Sequence, residues 1–234
     1  MKIDFKVTVV GLLLLLAFIM TFTRTPQEII NTLSNAADSA KLFSLAMHII
    51  FALILASGLI FKGARNILFF MFIALIMLSA TAVSIVFRLV PNIIVFGLLF
   101  VLVLRAFLQD KLNFDFQNLS RADLIFGIVA LVFGFWYFHW VHEPILLNAL
   151  VFSPLGMLNC PTLLTATGFL ILSSKPHSEL LEASLAVSTL YFGFFGIMRL
   201  NAYIDVVLIL CSLYMIFRMG MFFPFEEEDQ PVES

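Results

Sequence analysis

Long apolar runs separated by short polar links set the pattern of this chain. Between its formal charges lie eight such runs: Val7–Thr23, Leu42–Phe61, Asn66–Phe87, Leu89–Leu104, Leu124–His142, Pro144–Ser174, Ala183–Met198 and Val206–Phe217. The runs are continuously apolar and do not alternate with period two, so they predict helices and not barrel strands. A bilayer core of about 30 Å takes roughly 20 apolar residues in a helix. The pattern therefore predicts an all-α, polytopic transmembrane helix bundle of about eight spans.

The links agree with that division. Lys62-Gly63-Ala64-Arg65-Asn66 is a tight basic turn, and Pro91-Asn92 opens the fourth span, where proline at a first turn loses no hydrogen bond. Gln109 to Asp123 is the longest polar link, and Ser174 to Ser178 separates the sixth and seventh spans. Ser178-Glu179 reads as a helix N-cap followed by an acid in the first turn. The small polar stretch Asn31 to Asp38 predicts a short surface helix or loop. Met1 to Phe22 has the outline of a signal peptide. Its apolar core is long, and Thr21-Phe22-Thr23 lacks the small-x-small cleavage pattern, so it is read as a retained first span.

Composition then excludes the alternatives. The chain has 234 residues, 62% hydrophobic and 12% charged, with a mean hydropathy of +1.09. Soluble domains are about 45–50% apolar and about 25% charged. A water-soluble globule and a disordered chain are ruled out on that ground. Two cysteines cannot staple a secreted domain, and a net charge of −2 does not suit a nucleic-acid binder. The expected partners are the lipid bilayer and other membrane subunits or a second copy of the chain, with no nucleic acid. Residues 1–223 read as one transmembrane domain and 224–234 as an acidic cytoplasmic tail.

Basic residues give the expected orientation. With the N-terminus inside, nine of them fall in inner segments (Lys2, Lys6, Lys62, Arg65, Arg105, Lys111, Arg121, Lys175 and Arg218) and four in outer ones (Arg24, Lys41, Arg88 and Arg199). This favours the inner (cytoplasmic) membrane with both termini in the cytoplasm.

The run Pro144–Ser174 is too long for one crossing and too short for two. Its middle, Ser153-Pro154-Leu155-Gly156-Met157-Leu158-Asn159-Cys160-Pro161-Thr162, holds two prolines and a glycine that break any helix. One reading is a discontinuous span with halves Ile145–Phe152 and Pro161–Ser173. Its freed N–H groups would then favour an anion beside Asn159, Cys160 and Thr162. The other reading lays Ile145–Phe152 flat in the interface, before a short tilted span opening at Pro161.

Cys160-Pro161-Thr162, followed by Gly168, Leu170 and an apolar helix pair with Asp205 near the last helix, resembles an uncharacterised family of integral membrane proteins. This is domain-of-unknown-function family 6064, which has a similar Cys-Pro-Thr opening to a Thr/Gly-containing helix. The resemblance covers roughly Pro154 to Tyr214. It implies a multi-span membrane protein and no particular activity.

Three further groups bear on chemistry. His139, His142 and Glu143 lie within five residues, and with His48 they could supply a metal site. Trp136, Tyr137 and Trp140 beside them equally suit an aromatic interfacial belt, and His48 equally suits a hydrogen bond between helices. Arg199, Asn201, Tyr203 and Asp205 cluster before the last span. There Arg199 is the natural partner for an acid that would be costly alone, and the pair is either a pinned corner or a proton or cation site. Arg88 with Asn92 forms a similar, weaker pair, with Arg88 snorkelling to the interface. Cys160 at a helix start is the thiol placed to react, whereas Cys211 is packing. Gly127, Gly134, Gly193 and Gly196 allow close helix contact.

The chain carries no Walker pattern, H-E-x-x-H or G-x-S-x-G, and no cofactor is predicted. Three functions compete. A small-solute permease or channel would use Asn159, Cys160, Thr162, Arg199 and Asp205. A structural or accessory subunit would pack against a larger membrane complex. An intramembrane metal-dependent enzyme would use His48, His139, His142 and Glu143, and the scarcity of buried charge argues against it.

Overall fold

The structure, a computed structural model, describes residues 5–116, 119–140, 146–174 and 178–220. Among them are ten α-helices and no β-strand. They are α1 (Phe5–Met20), α2 (Pro26–Ser39), α3 (Lys41–Ile60), α4 (Arg65–Val86), α5 (Val90–Leu108), α6 (Arg121–Phe135), α7 (Leu146–Phe152), α8 (Asn159–Ile171), α9 (Glu179–Leu200) and α10 (Val206–Arg218). The fold is the predicted all-α bundle. The acidic tail, 224–234, lies outside the described residues.

Each predicted run holds a helix, and Pro144–Ser174 holds two, α7 and α8. Among the described residues five helices are long and apolar enough to cross a bilayer: α1 with its following turn, α3, α4 with its preceding turn, α5 and α9. Helices α6, α8 and α10 have 15, 13 and 13 residues. At a rise of 1.5 Å per residue they reach only about 20–22 Å. The expected eight spans thus divide into five of full length and three shorter helices packed among them.

Many large outward side chains are apolar. Leu12, Leu15, Leu53, Leu78, Ile128 and Phe194 are all exposed. Such surface is unfavourable in water by about 25 cal/mol per Å² and is the solvated face in hydrocarbon. The protein is embedded in a membrane. Only 17% of the apolar window of α1 is buried, against 61% for α9, so α1 is peripheral and α9 central.

The innermost element is α8, every residue of which is buried. It is packed by α6, α9, α10 and α4. Contact with α6 is close because glycines line the seam. A methyl on Gly134 would overlap Thr165 Oγ1 and stand 2.9 Å from the Thr165 nitrogen, and one on Gly168 would stand 3.0 Å from the Gly127 carbonyl. Phe169 anchors an aromatic core, with ring centroids 5.0 Å from Phe69, 5.7 Å from Phe72 and 6.1 Å from Phe51.

Alternate links fall at opposite ends. At one end, Arg24 Nη2 donates to the Arg88 carbonyl at 3.1 Å, joining the α1–α2 and α4–α5 links. At the other, Ser174 N donates to the Asn113 carbonyl at 2.7 Å, joining the α8–α9 and α5–α6 links. This second end holds the main polar clasp. Arg218 on α10 bonds Asp123 Oδ1 at 3.3 Å and the Ser173 carbonyl at 3.0 Å, and it also reaches the Ile171 carbonyl. It lies 3.9 Å from Glu182 Oε1. A cation thereby meets the negative C-terminal end of the α8 dipole.

The polar stretch after α1 is more ordered than its composition suggests. The whole of α2 is helical, beginning at Pro26 and not at Asn31. Thr25 and Glu28 form a reciprocal capping box, and Ile29, Leu33, Ala36 and Ala37 are buried on one face.

Candidate functional site

The break between α7 and α8 builds the site. Pro154 ends one segment, and Gly156 adopts φ +71°, where a side chain would be strained and would also meet Met47 and Ser79 at 2.9 Å. Gly156 N donates to Thr162 Oγ1 at 3.0 Å, and Ser79 Oγ donates to the Gly156 carbonyl at 2.7 Å. These bonds satisfy backbone that leaves the helix inside the protein. Thr162 thus holds the joint. Pro161 sits in the first turn of α8, where its missing N–H costs nothing. Helix α8 begins at Asn159, two residues before the predicted half-helix.

Beside that opening stands a buried polar cluster. Tyr137 Oη donates to Asp205 Oδ1 at 2.5 Å, and Cys160 Sγ donates to Asp205 Oδ2 at 3.2 Å. Tyr137 and Asp205 are wholly buried, and Cys160 is 2% exposed. Asp205 occupies the 3-10 turn Tyr203–Asp205 linking α9 to α10, outside the membrane-spanning helices. Burial pushes its carboxyl up to about 7, opposed by the hydrogen bonds from Tyr137 and Cys160. Gly196 makes room for it, since a methyl there would overlap the carboxylate.

The expected Arg199–Asp205 pair does not form. The Arg199 guanidinium lies over the Phe22 ring at 5.4 Å, and its Nε has no hydrogen-bond partner among the described residues. Two neutral donors hold Asp205 in place of a cation. The aromatic belt is also redrawn. Tyr137 and Trp140 are buried against protein, with the tyrosine hydroxyl turned inward to Asp205. Nothing in the sequence marked Tyr137 as the partner of a residue 68 positions away.

Of the four metal candidates the structure describes His48 and His139. His48 Nδ1 lies 2.7 Å from the Ser44 carbonyl of its own helix, and Nε2 lies 2.9 Å from the Phe135 carbonyl, which joins α3 to α6. His139 lies in the link after α6. Burial pushes its imidazole down, and the hydrogen bond to the Leu200 backbone opposes that shift. His142 and Glu143 lie outside the described residues. Among the described residues no three metal-ligating side chains come together.

A cavity of about 180 Å³ opens at the Arg24–Arg88 end. Its wall includes Thr21, Arg24, Arg88, Asn92, Asn159 and Leu200. Asn159 is 4% exposed, and its Oδ1 has no hydrogen-bond partner among the described residues. Of the expected substrate-binding residues only Asn159 lines this cavity. Cys160 and Asp205 form the cluster described above, while Thr162 and Arg199 stand apart from the wall. Arg24, Arg88 and Asn92 line it as well. The sequence paired Arg88 with Asn92, and Arg24 enters only because the bundle brings the α1–α2 link beside them. An oligomer is not needed to form any of these features.

Comparison with protein-family models, with curated proteins and with solved structures gives no match. The fold and site therefore define a class: a membrane-embedded α-helical bundle with a broken segment, a buried polar cluster and a mainly apolar cavity with arginine and asparagine in its wall at one end.

Proposed function

We propose that the chain is a small-solute permease or channel-like protein whose solute site is the cavity bordered by Asn159. The single observation that carries this reading is Asn159 itself. A buried amide oxygen without a partner is unfavourable by about 1–3 kcal/mol, and the residue that carries it stands in the wall of a cavity at the opening of a discontinuous segment. A polar residue held at that opening suits a path for a polar solute. At about 180 Å³ the space is below the roughly 300–1,000 Å³ of pockets for drug-sized molecules, which suits a small solute.

The same proposal places the protein in the inner membrane with both termini cytoplasmic. It counts the Cys160-Pro161-Thr162 opening of α8 as a likeness to family 6064. Reconstitution of the full chain into proteoliposomes tests it. Small polar solutes should equilibrate faster than in empty liposomes, and Asn159→Leu should slow them while eluting as a folded protein. Flux equal to that of empty liposomes for a folded wild type would count against the reading.

A second reading has one observation of its own. A groove of about 420 Å³ between α3 and α6 is lined by Phe51, Leu55, Ile128, Val132, Phe135 and Trp136 with almost no polar surface. This supports an accessory subunit that packs against another membrane protein. Stoichiometric co-purification of one membrane partner in mild detergent would favour it.

A further inference from the structure

The apolar groove between α3 and α6 has a polar pocket at one end. The groove walls include Leu55 and Leu59 on α3, Leu124, Ile128 and Val132 on α6, and Trp136 just after α6. The pocket, of about 320 Å³, is lined by Lys62, Arg65, Asn66, Asn113, Asp115 and Phe116. Phe116 is common to both walls. The pocket lies at the α3–α4 and α5–α6 links. Leu59 in the last turn of α3 and Leu124 in the first turn of α6 mark the end of the groove beside it.

Depth separates the possible occupants. From Leu124 to Trp136 the α6 wall rises about 18 Å, and from Leu59 back to Phe51 the α3 wall rises about 12 Å. A bilayer core is about 30 Å thick, so one leaflet takes about 15 Å. The groove therefore has the depth of one leaflet, with its polar end toward the membrane surface. A partner helix crossing the bilayer asks for a seam about twice as long. A lipid acyl chain descending from a headgroup in the pocket asks for the depth found.

The pocket is built for charge. Arg65 is buried, its Nε donates to the Gly58 carbonyl at 2.7 Å, and its Nη1 donates to the Phe114 carbonyl at 3.2 Å. Its guanidinium lies over the Phe116 ring at 4.4 Å. These partners are neutral, so they fix the guanidinium without cancelling its charge. Lys62 is exposed and adds a second cation to the wall. Asn66 Nδ2 donates to Asn113 Oδ1 at 3.1 Å, and Phe114 N donates to Asn66 Oδ1 at 2.8 Å, which ties the two links together. The two cations suit a phosphate. Asp115 in the same wall suits an ammonium group.

We propose that the groove and pocket bind one phosphatidylethanolamine molecule. Lys62 and Arg65 take its phosphate, Asp115 takes its ammonium, and α3 and α6 hold an acyl chain. The inference is independent of the solute cavity. It gives to a lipid the groove that the accessory reading gives to a partner subunit.

Native mass spectrometry of the full chain, purified in mild detergent, tests it. The probes are dioleoyl phosphatidylethanolamine, its N-methyl and N,N-dimethyl forms, phosphatidylcholine and phosphatidylglycerol. Phosphatidylethanolamine should saturate at one molecule per chain. It should bind roughly tenfold more tightly than phosphatidylcholine, the order expected for charge-assisted hydrogen bonds that a choline group cannot make. Affinity should fall with each added methyl. Glycerophosphoethanolamine, which lacks the chains, should not bind.

Asp115→Asn should erase the preference over phosphatidylcholine, and Lys62→Gln should weaken every phospholipid several-fold. Leu55→Phe with Ile128→Phe fills the groove and should abolish the saturable site. Elution position on size exclusion verifies folding, and the methylation series in the wild type decides the headgroup if Asp115→Asn does not fold. Equal affinity across that series, tighter binding of phosphatidylglycerol, or unchanged saturable binding in the groove-filled variant would each overturn the inference. So would a stoichiometric membrane protein that co-purifies and excludes phosphatidylethanolamine from the chain.

Discussion

Tyr137 Oη donates to Asp205 Oδ1 at 2.5 Å, tying the residue just beyond α6 to the turn before α10. Together with Cys160 Sγ at 3.2 Å, it surrounds a buried carboxyl with neutral donors and, among the described residues, no cation. An acid can be kept in such a place by holding its proton, and that gives the cluster a dependence on pH.

The sign follows from burial. In the native state burial pushes the Asp205 carboxyl up to about 7, above its usual 3.8. The native carboxyl therefore holds its proton where the unfolded one has released it. Its contribution to stability is greatest at low pH and is lost as pH rises from about 3.8 to about 7. The thermal midpoint in detergent should fall between pH 5 and pH 8 in the wild type, and the fall should flatten in Asp205→Asn. Tyr137→Phe should destabilise by about 1–3 kcal/mol, since one carboxyl oxygen loses its donor. Equal pH slopes in wild type and Asp205→Asn would remove Asp205 as the cause.

The bundle was legible in the sequence because lipid solvation leaves a coarse mark, an apolar run of fixed length. The break at Pro154–Gly156–Pro161 was legible for a related reason: proline and glycine act on the local backbone. The partners of Asp205 were not legible. Arg199 is near in sequence and Tyr137 is far, and only the packing of α8 against α6 decides between them. The cavity was legible by halves. Asn159, Arg88 and Asn92 drew notice, whereas Arg24 looked like an ordinary charged link residue. The capping box at Thr25 and Glu28 was written in the sequence and extends α2 five residues ahead of the predicted start.

The seam between α6 and α8 should be intolerant of the smallest side chain. Gly134→Ala places a methyl against Thr165 backbone and side chain. It should destabilise by about 1–3 kcal/mol, the usual cost of overpacking. Gly11 on the outer face of α1 has open space around it, so Gly11→Ala should be neutral or slightly stabilising. Thermal denaturation followed by size exclusion compares them. Equal behaviour of the two variants would show that the seam is looser than described.

Arg218 should be among the most sensitive charged positions. Its loss removes the cation facing Asp123 and Glu182 and uncaps the carbonyls that end α8. Breaking such a partly buried network is expected to cost on the order of 3 kcal/mol. Arg218→Met should lower folded yield strongly. Arg218→Lys should restore it only in part, because an ammonium cannot reach several acceptors as a planar guanidinium does. Full rescue by lysine would mean that the charge alone matters.

The account as a whole says that lipid bathes the outside of this bundle while water reaches the Asn159 cavity. Cysteine accessibility along α5 tests both at once. Cys160 and Cys211 are buried, so the wild type should be silent to a charged methanethiosulfonate reagent in membrane fragments open on both sides. Asn92 lines the cavity, and Val101 on the same helix is 58% exposed on the outer face. Asn92→Cys should be modified by the reagent and Val101→Cys should not. Modification of Val101→Cys as readily as Asn92→Cys, or of Val101→Cys alone, would contradict the account.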